Sequence, residues 1–248
     1  MIFGFLYRII TLMRILFHPK GGFGYLINSS RSIASFGLNQ SLSQLIPHLK
    51  TIIDVGSNIG QYAYASNRFY PNARIYCFEP VSTCFHQLEK NTGKISAITS
   101  FNSALGDTNG QITFFENKHT HASSALKVSE YQKSTVPKTQ IFRETNVNSV
   151  KLDDFVFPRT IEQPLLLKLD VQGYEKNVLE GAKHFLNKVD FILLETSFIS
   201  MYNNEPLFGT MNTFLNQHGF YLVAPVGDFS IHSGPIPQLD MLYQKAQQ

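Results

Sequence analysis

The sequence has no tryptophan and only two cysteines, and charge is sparse: Asp, Glu, Lys and Arg make up 16% of its 248 residues. Cys77 and Cys84 stand in a C-x6-C spacing that matches no zinc signature. That leaves two free thiols suited to a reducing cytoplasm. The formal net charge of +3 is mild, so no nucleic-acid partner is expected. No apolar run reaches the roughly 20 residues that cross a bilayer. The best candidate, residues 1–17, carries Arg8 and Arg14 and is followed by no small-residue cleavage site, so neither a span nor a secretory signal is expected.

Hydrophobic residues supply 43% of the chain, which is the composition of a globular protein. The length suits one α/β domain with an appendage. The appendage is residues 1–37. Gly4, Arg8, Thr11 and Arg14 draw one polar stripe on an otherwise apolar helix, which His18-Pro19-Lys20-Gly21-Gly22 stops. Such a helix either lies in a membrane interface, with its arginines near anionic headgroups, or covers an apolar patch of its own domain or of a partner subunit in a homo-oligomer. A short amphipathic helix is expected over Ser41 to Leu49.

The rest of the chain, residues 38–248, is organised around TIIDVGSNIGQY, Thr51 to Tyr62. An apolar β-branched run, an acid, a glycine turn and a helical pattern are the grammar of a buried parallel strand feeding a helix. Open α/β sheets bind ligands at the carboxyl ends of such strands. Gly56 and Gly60 do not complete the G-x-G-x-x-G of a dinucleotide turn, and Asp54 beside them would repel a pyrophosphate. An acid there suits a ligand with an ammonium and a sulfonium, S-adenosylmethionine. Ser57 and Asn58 complete the turn. Glu79, ending Ile75-Tyr76-Cys77-Phe78 and followed by Pro80, is placed to accept the ribose hydroxyls.

Further strands are expected over Ile98 to Leu105, Gln111 to Phe115 (as a hairpin), Leu165 to Asp170, Phe191 to Leu194, Phe220 to Val223 and Leu239 to Tyr243. Helices are expected from Val81, from Asp153-Asp154 and over Tyr174 to Leu186. Lys168, inside an apolar strand, should pair with an acid. Residues of about 117–149 are the least regular and read as an acceptor-binding lid. His119 and His121 within it are candidate bases. Asp170 and Glu195, ending neighbouring strands, are candidates for the methyl-transfer centre and for sharing a magnesium ion.

The stretches TIIDVGSNIGQY, IYCFEP, NSALGD, LLLKLDVQGYEKNVLEGA and ILLE occur in that order over roughly residues 38–200. Together they resemble the FkbM family of S-adenosylmethionine-dependent methyltransferases. The resemblance implies a seven-stranded Rossmann-like class I methyltransferase sheet, with helices on both faces and the last strand antiparallel. It implies an adenine slot lined by Asn102, Ala104 and Leu105, and a role for Asp170 and Val171 beside the cofactor. It also implies a hydroxyl acceptor on a sugar, glycan, glycolipid or polyketide-like molecule. The nearest rival is an N-methyltransferase on the same scaffold; a membrane-docked protein that binds the cofactor without activity is another. One departure is visible: the family usually has Glu where this chain has Gln172, in Asp170-Val171-Gln172-Gly173.

Overall fold

The computed structural model describes residues 2–118, 120–227 and 236–246. Three helices come first, α1 (Ile2–Phe17), α2 (Phe23–Leu26) and α3 (Ile33–Leu45). Then follow β1 (Thr51–Val55), α4 (Gln61–Phe69), β2 (Arg74–Phe78), α5 (Ser82–Thr92) and β3 (Ile98–Phe101). After the short β4 (Ala104–Leu105) come β5 (Gly110–Asn117), α6 (Glu130–Thr135) and β6 (Phe142–Val150). The chain closes with β7 (Leu165–Leu169), α7 (Glu175–Glu180), β8 (Phe191–Ser197), α8 (Phe208–Gln217), β9 (Phe220–Val226) and β10 (Gln238–Lys245).

Seven strands form the main sheet in the order β3-β2-β1-β7-β8-β10-β9, and only β10 runs antiparallel to its neighbours. The near-continuous apolar runs of β1 and β7 are buried on both faces, as central parallel strands require. Alternation sorts their side chains. Ile53, Val55, Leu165, Leu167 and Leu169 pack towards α7 and α8, against Val178, Met211 and Leu215. Ile52 and Leu166 pack the other way, onto Phe36, Leu42, Ala63 and Leu88 of α3, α4 and α5. Each fully buried side chain of this size contributes about 1.5–3 kcal/mol.

The same period of two decides the chemistry. Asp54 shares a face with Ile52, Lys168 and Asp170 with Leu166, Glu195 with Leu193, and Asp240 with Leu242. Five ionisable side chains from four adjacent strands therefore lie on one side of the sheet, beneath α3 and α4.

The chain departs from the sequence pattern in several places. The helix expected at Ser41 begins eight residues earlier, because the Ser32 side chain accepts the Ser35 N–H and caps it. The third strand splits: β3 stays in the main sheet and β4 leaves it to pair with β6. Gln111 to Phe115 does not form a hairpin with its predecessor; β5 pairs with β6, giving a second sheet β4-β6-β5. The edge strand expected over Val147 to Leu152 is the end of the nine-residue β6, which begins at Phe142, inside the segment expected to be irregular. Asp153 starts no helix. Its carboxylate accepts the backbone N–H groups of His184 and Phe185 and ties that loop down. The helix after Tyr174 ends early at Gly181, where a Cβ would lie 1.8 Å from the carbonyl oxygen of Gly106.

Candidate active site

A cavity of about 410 Å3 lies over the carboxyl ends of β1, β2, β7 and β8. Gly56, Ser57, Asn58, Glu79, Pro80, Ala104, Leu105, His121, Asp170, Val171 and Glu195 line it. Asp54, Gly60 and Asn102 do not, and His119 lies outside the described residues.

The turn after β1 is set by close approach. Gly56 has φ +80°, and a Cβ there would stand 1.9 Å from the Asp170 carbonyl oxygen, so only glycine fits. Gly60, with φ +89°, begins α4 against Leu88 and Thr92. Glu79 ties this turn to the next: the Asn58 N–H donates to Oε2 and the Val81 N–H to Oε1, both at 2.8 Å. Burial pushes the Glu79 carboxyl up to about 7, against the lowering effect of those two N–H groups. The Asn58 Oδ1 is buried without a hydrogen-bond partner and belongs to a residue that lines the cavity.

Asp54 requires a correction. It faces Lys168 directly in the β1–β7 register, and Lys168 Nζ lies 3.0 Å from its Oδ1. Both side chains are buried; Lys168 lines the cavity, and the Asp54 carboxylate behind it does not. The expectation for Lys168 holds. Nζ also lies 3.4 Å from Asp170 Oδ2 and 5.1 Å from the centre of the Tyr62 ring. Burial alone would lower the Lys168 pKa; Asp54 and Asp170 outweigh it and hold it above its ordinary value.

Asn102 is also corrected. Its Nδ2 donates to the carbonyls of Glu79 and Pro80, and its Oδ1 accepts from Ser82. The side chain braces the β2–α5 turn and does not enter the slot where Ala104 and Leu105 lie.

At the other end of the cavity the acids gather. Asp170 keeps 41% of its side chain exposed. Gln172 Nε2 donates to Asp170 Oδ1 at 2.7 Å and to Glu195 Oε2 at 3.0 Å. Burial first, then Asp170 and Asp240, hold the Glu195 carboxyl well above the usual range. Asp240, opposite Glu195 in the β8–β10 register, is pushed up to about 7 by burial and by Asp170. Glu175 does more than sit in a helix's first turn: it accepts the N–H groups of Val171 and Gly173, and burial pushes it up to about 8.

A magnesium ion shared by Asp170 and Glu195 is one reading of the sequence. Instead one oxygen of each accepts from the Gln172 amide nitrogen, which is a donor and not a metal ligand. Among the described residues, no three His, Cys, Asp or Glu side chains are grouped to hold a metal ion.

Sequence reasoning missed Ser32, Ser35 and Leu38 of α3, and Tyr62, Gln172, Tyr174 and Asp240, all of which line the cavity. An available signal was the even spacing of Asp240 and Leu242 on a strand whose partner ends in Glu195. His121 sits on a single turn, Thr120–Ala122, with its Nδ1 3.4 Å from Asn58 Nδ2.

A family model described as the methyltransferase FkbM domain matches residues 54–222. The chain is similar to the 2-O-methyltransferase NoeI of Sinorhizobium fredii, 26% identical over 200 residues that cover 73% of this chain and 82% of that one. It is similar to the hexuronic acid methyltransferase AglP of Haloferax volcanii, 28% identical over 143 residues, 57% of this chain and 54% of that one. In fold it is similar to a SAM-dependent methyltransferase of Leishmania major, with a TM-score of 0.51 at 10% identity, covering 85% of this chain and 71% of the other.

Proposed function

The chain belongs to the FkbM family of S-adenosylmethionine-dependent methyltransferases, and from that premise we propose that it methylates a hydroxyl of a sugar or glycan, free or lipid-linked. Polyketide-like acceptors are the other members of the class. The observation that carries the reading is the cluster of carboxyl groups on one face of the sheet, served by a single lysine, at the end of a cavity with room for a nucleoside.

S-adenosylmethionine supplies an electrophilic methyl group on a cationic sulfur. The residues present suit it. Gly56, Ser57 and Asn58, with Gly60 behind them, offer bare backbone and one unpartnered buried oxygen. All six of Glu79, Pro80, Ala104, Leu105, Asp170 and Val171 line the cavity; in this reading the first pair would meet the ribose, the second the adenine, and the third the methionine end. A neutral hydroxyl is a poor nucleophile, so a base must take its proton. Asp170, exposed to the cleft and 3.4 Å from Lys168 Nζ, is that base in this reading, and His121 lines the same cavity. Asp54 acts from inside, through Lys168.

Labelled S-adenosylmethionine incubated with sugar and lipid extracts tests this. Label should appear as an O-methyl on a sugar, and Asp170→Asn should lose it while still binding S-adenosylhomocysteine in a calorimeter. Label on nitrogen would overturn the reading.

The lipid-linked form of the acceptor has its own support. No helix among the described residues is long and apolar enough to cross a membrane. Yet Ile10, Met13 and Phe17, at i, i+3 and i+7 of α1, point outward, and Ile15 on the opposite side is buried. Phe23 and Ile27 extend the exposed apolar face onto α2. A surface helix ordinarily turns its polar face to water. Residues 1–53 also hold Arg8, Arg14, Lys20, Arg31 and Lys50 and no acid at all. Arg68 donates to the carbonyls of Lys20 and Gly21 and fixes this layer to the domain. An anionic bilayer surface answers both the apolar face and the charge. The protein should float with vesicles containing anionic phospholipid, and Phe17→Glu with Phe23→Glu should abolish it. Equal flotation by wild type and variant would remove the membrane from the account.

A further inference from the structure

Gln172 stands at an unusual point. It is not glycine, yet its φ is +59°, in the left-handed region that non-glycine residues rarely occupy. Such a backbone persists only where surroundings hold it. Here they do: Ser124 Oγ donates to the Gln172 carbonyl at 2.7 Å, and Tyr202 Oη donates to Gln172 Oε1 at 2.7 Å. Tyr202 is itself fully buried and accepts from Gln132 Nε2 at 3.5 Å. Both Ser124 and Gln132 belong to the insertion between β5 and β6.

This clamp fixes which way the amide faces. The NH2 end faces Asp170 and Glu195, whose oxygens accept from it. The Tyr202 hydroxyl then holds the carbonyl end. One nitrogen with two protons serves one oxygen of each acid.

We propose that the Gln172 amide is the positioning group for Asp170, holding it against Glu195 in the place where a divalent cation would otherwise be needed. The methyl-transfer end of the cleft is therefore built to work without a metal ion, and the insertion that grips Gln172 sets the aim of the base. This rests on Asp170 being the group that meets the acceptor.

Three proteins test it: wild type, Gln172→Glu and Tyr202→Phe. Mn2+ titration followed by electron paramagnetic resonance needs no acceptor. Wild type should leave Mn2+ free, and Gln172→Glu, which sets a third carboxylate against the other two, should bind it at least about tenfold more tightly, the scale on which such surroundings change metal affinity. Tyr202→Phe removes only the hydroxyl that orients the amide. It should lower kcat by about tenfold, the lower end of what a lost supporting contact costs, with KM for S-adenosylmethionine and the melting temperature nearly unchanged. Equal Mn2+ affinity in wild type and Gln172→Glu would overturn the cation replacement. An unchanged kcat in Tyr202→Phe would overturn the positioning role. If wild type methylates no hydroxyl, the broader reading fails, and the Mn2+ arm still decides what the amide does.

Discussion

The first 53 residues contain five basic residues and no acid, and they turn Phe17 and Phe23 to the outside. The ends of β1, β2, β7, β8 and β10 do the reverse: Asp54 and Glu79 are buried, Asp170, Glu195 and Asp240 are half-buried, and among the described residues Lys168 is the lysine they gather around. Apolar groups are left in water in one region and carboxyl groups are taken out of it in the other. Each arrangement costs stability, and neither is needed to fold an α/β sheet. The difference is what the proposed reading uses: an anionic surface would suit the first region, and a positively charged small molecule the second.

The sharpest way to break the acidic side is to remove Asp54. Asp54→Ala leaves the buried Lys168 ammonium with only the longer contact to Asp170 and should cost up to about 3–5 kcal/mol in urea unfolding. Pairing Asp54→Asn with Lys168→Met should recover most of it. If Asp54→Ala instead unfolds at the wild-type midpoint, the buried pair is not a structural element.

Gly56→Ala comes next. The added methyl meets the Asp170 carbonyl, and the turn must open. Binding of S-adenosylhomocysteine should weaken at least about tenfold, the equivalent of 1.4 kcal/mol, whereas flotation with anionic vesicles should stay as it was. Parallel loss of both would mean the two regions are not independent.

The third test is pH. Glu79 and Asp240 are raised to about 7 and Glu175 to about 8, from ordinary values of 4.5, 3.8 and 4.5. The folded protein then binds more protons than the unfolded chain between those limits, so the contribution of these three groups to stability falls as pH rises from about 4.5 to about 8. A thermal melt series should show that decline, and Glu79→Gln should flatten it. Affinity for the cationic cofactor should run the opposite way, increasing as the acids ionise. The smallest effect belongs to the N-terminal layer: neutralising Arg14, Lys20 or Arg31 singly should weaken vesicle binding by about 1 kcal/mol each, and less in high salt.

Much of the main sheet was legible. The apolar runs at Thr51, Ile75, Leu165 and Phe191 become β1, β2, β7 and β8 within a few residues of where they were expected. Burial on both faces leaves such runs no other home. What could not be read was register between strands distant in sequence. Asp54 meets Lys168 only because β1 and β7 lie side by side with those residues opposite. Without that register, Asp54 looks like a cleft acid and the lysine like an unpaired oddity. Asn102 misled for a local reason: the chain bends there and its amide is spent on neighbouring carbonyls. Only the end of β6 was legible, as an edge strand over Val147 to Leu152; its first part is exposed and alternates weakly, so pairing with β5 carries it rather than its own composition. Gln172 was noticed as a departure, but its backbone angle and the Tyr202 contact have no signature in a single sequence.

The meeting of Gly181 with Gly106 has a consequence for selectivity. Ala104 and Leu105 sit immediately before Gly106, and α7 ends against it with no space for even a methyl group. If Ala104 and Leu105 hold the donor's base, as proposed, the layer behind them has no slack to give. A donor analogue enlarged at its base should then bind less well than one altered at the sulfur.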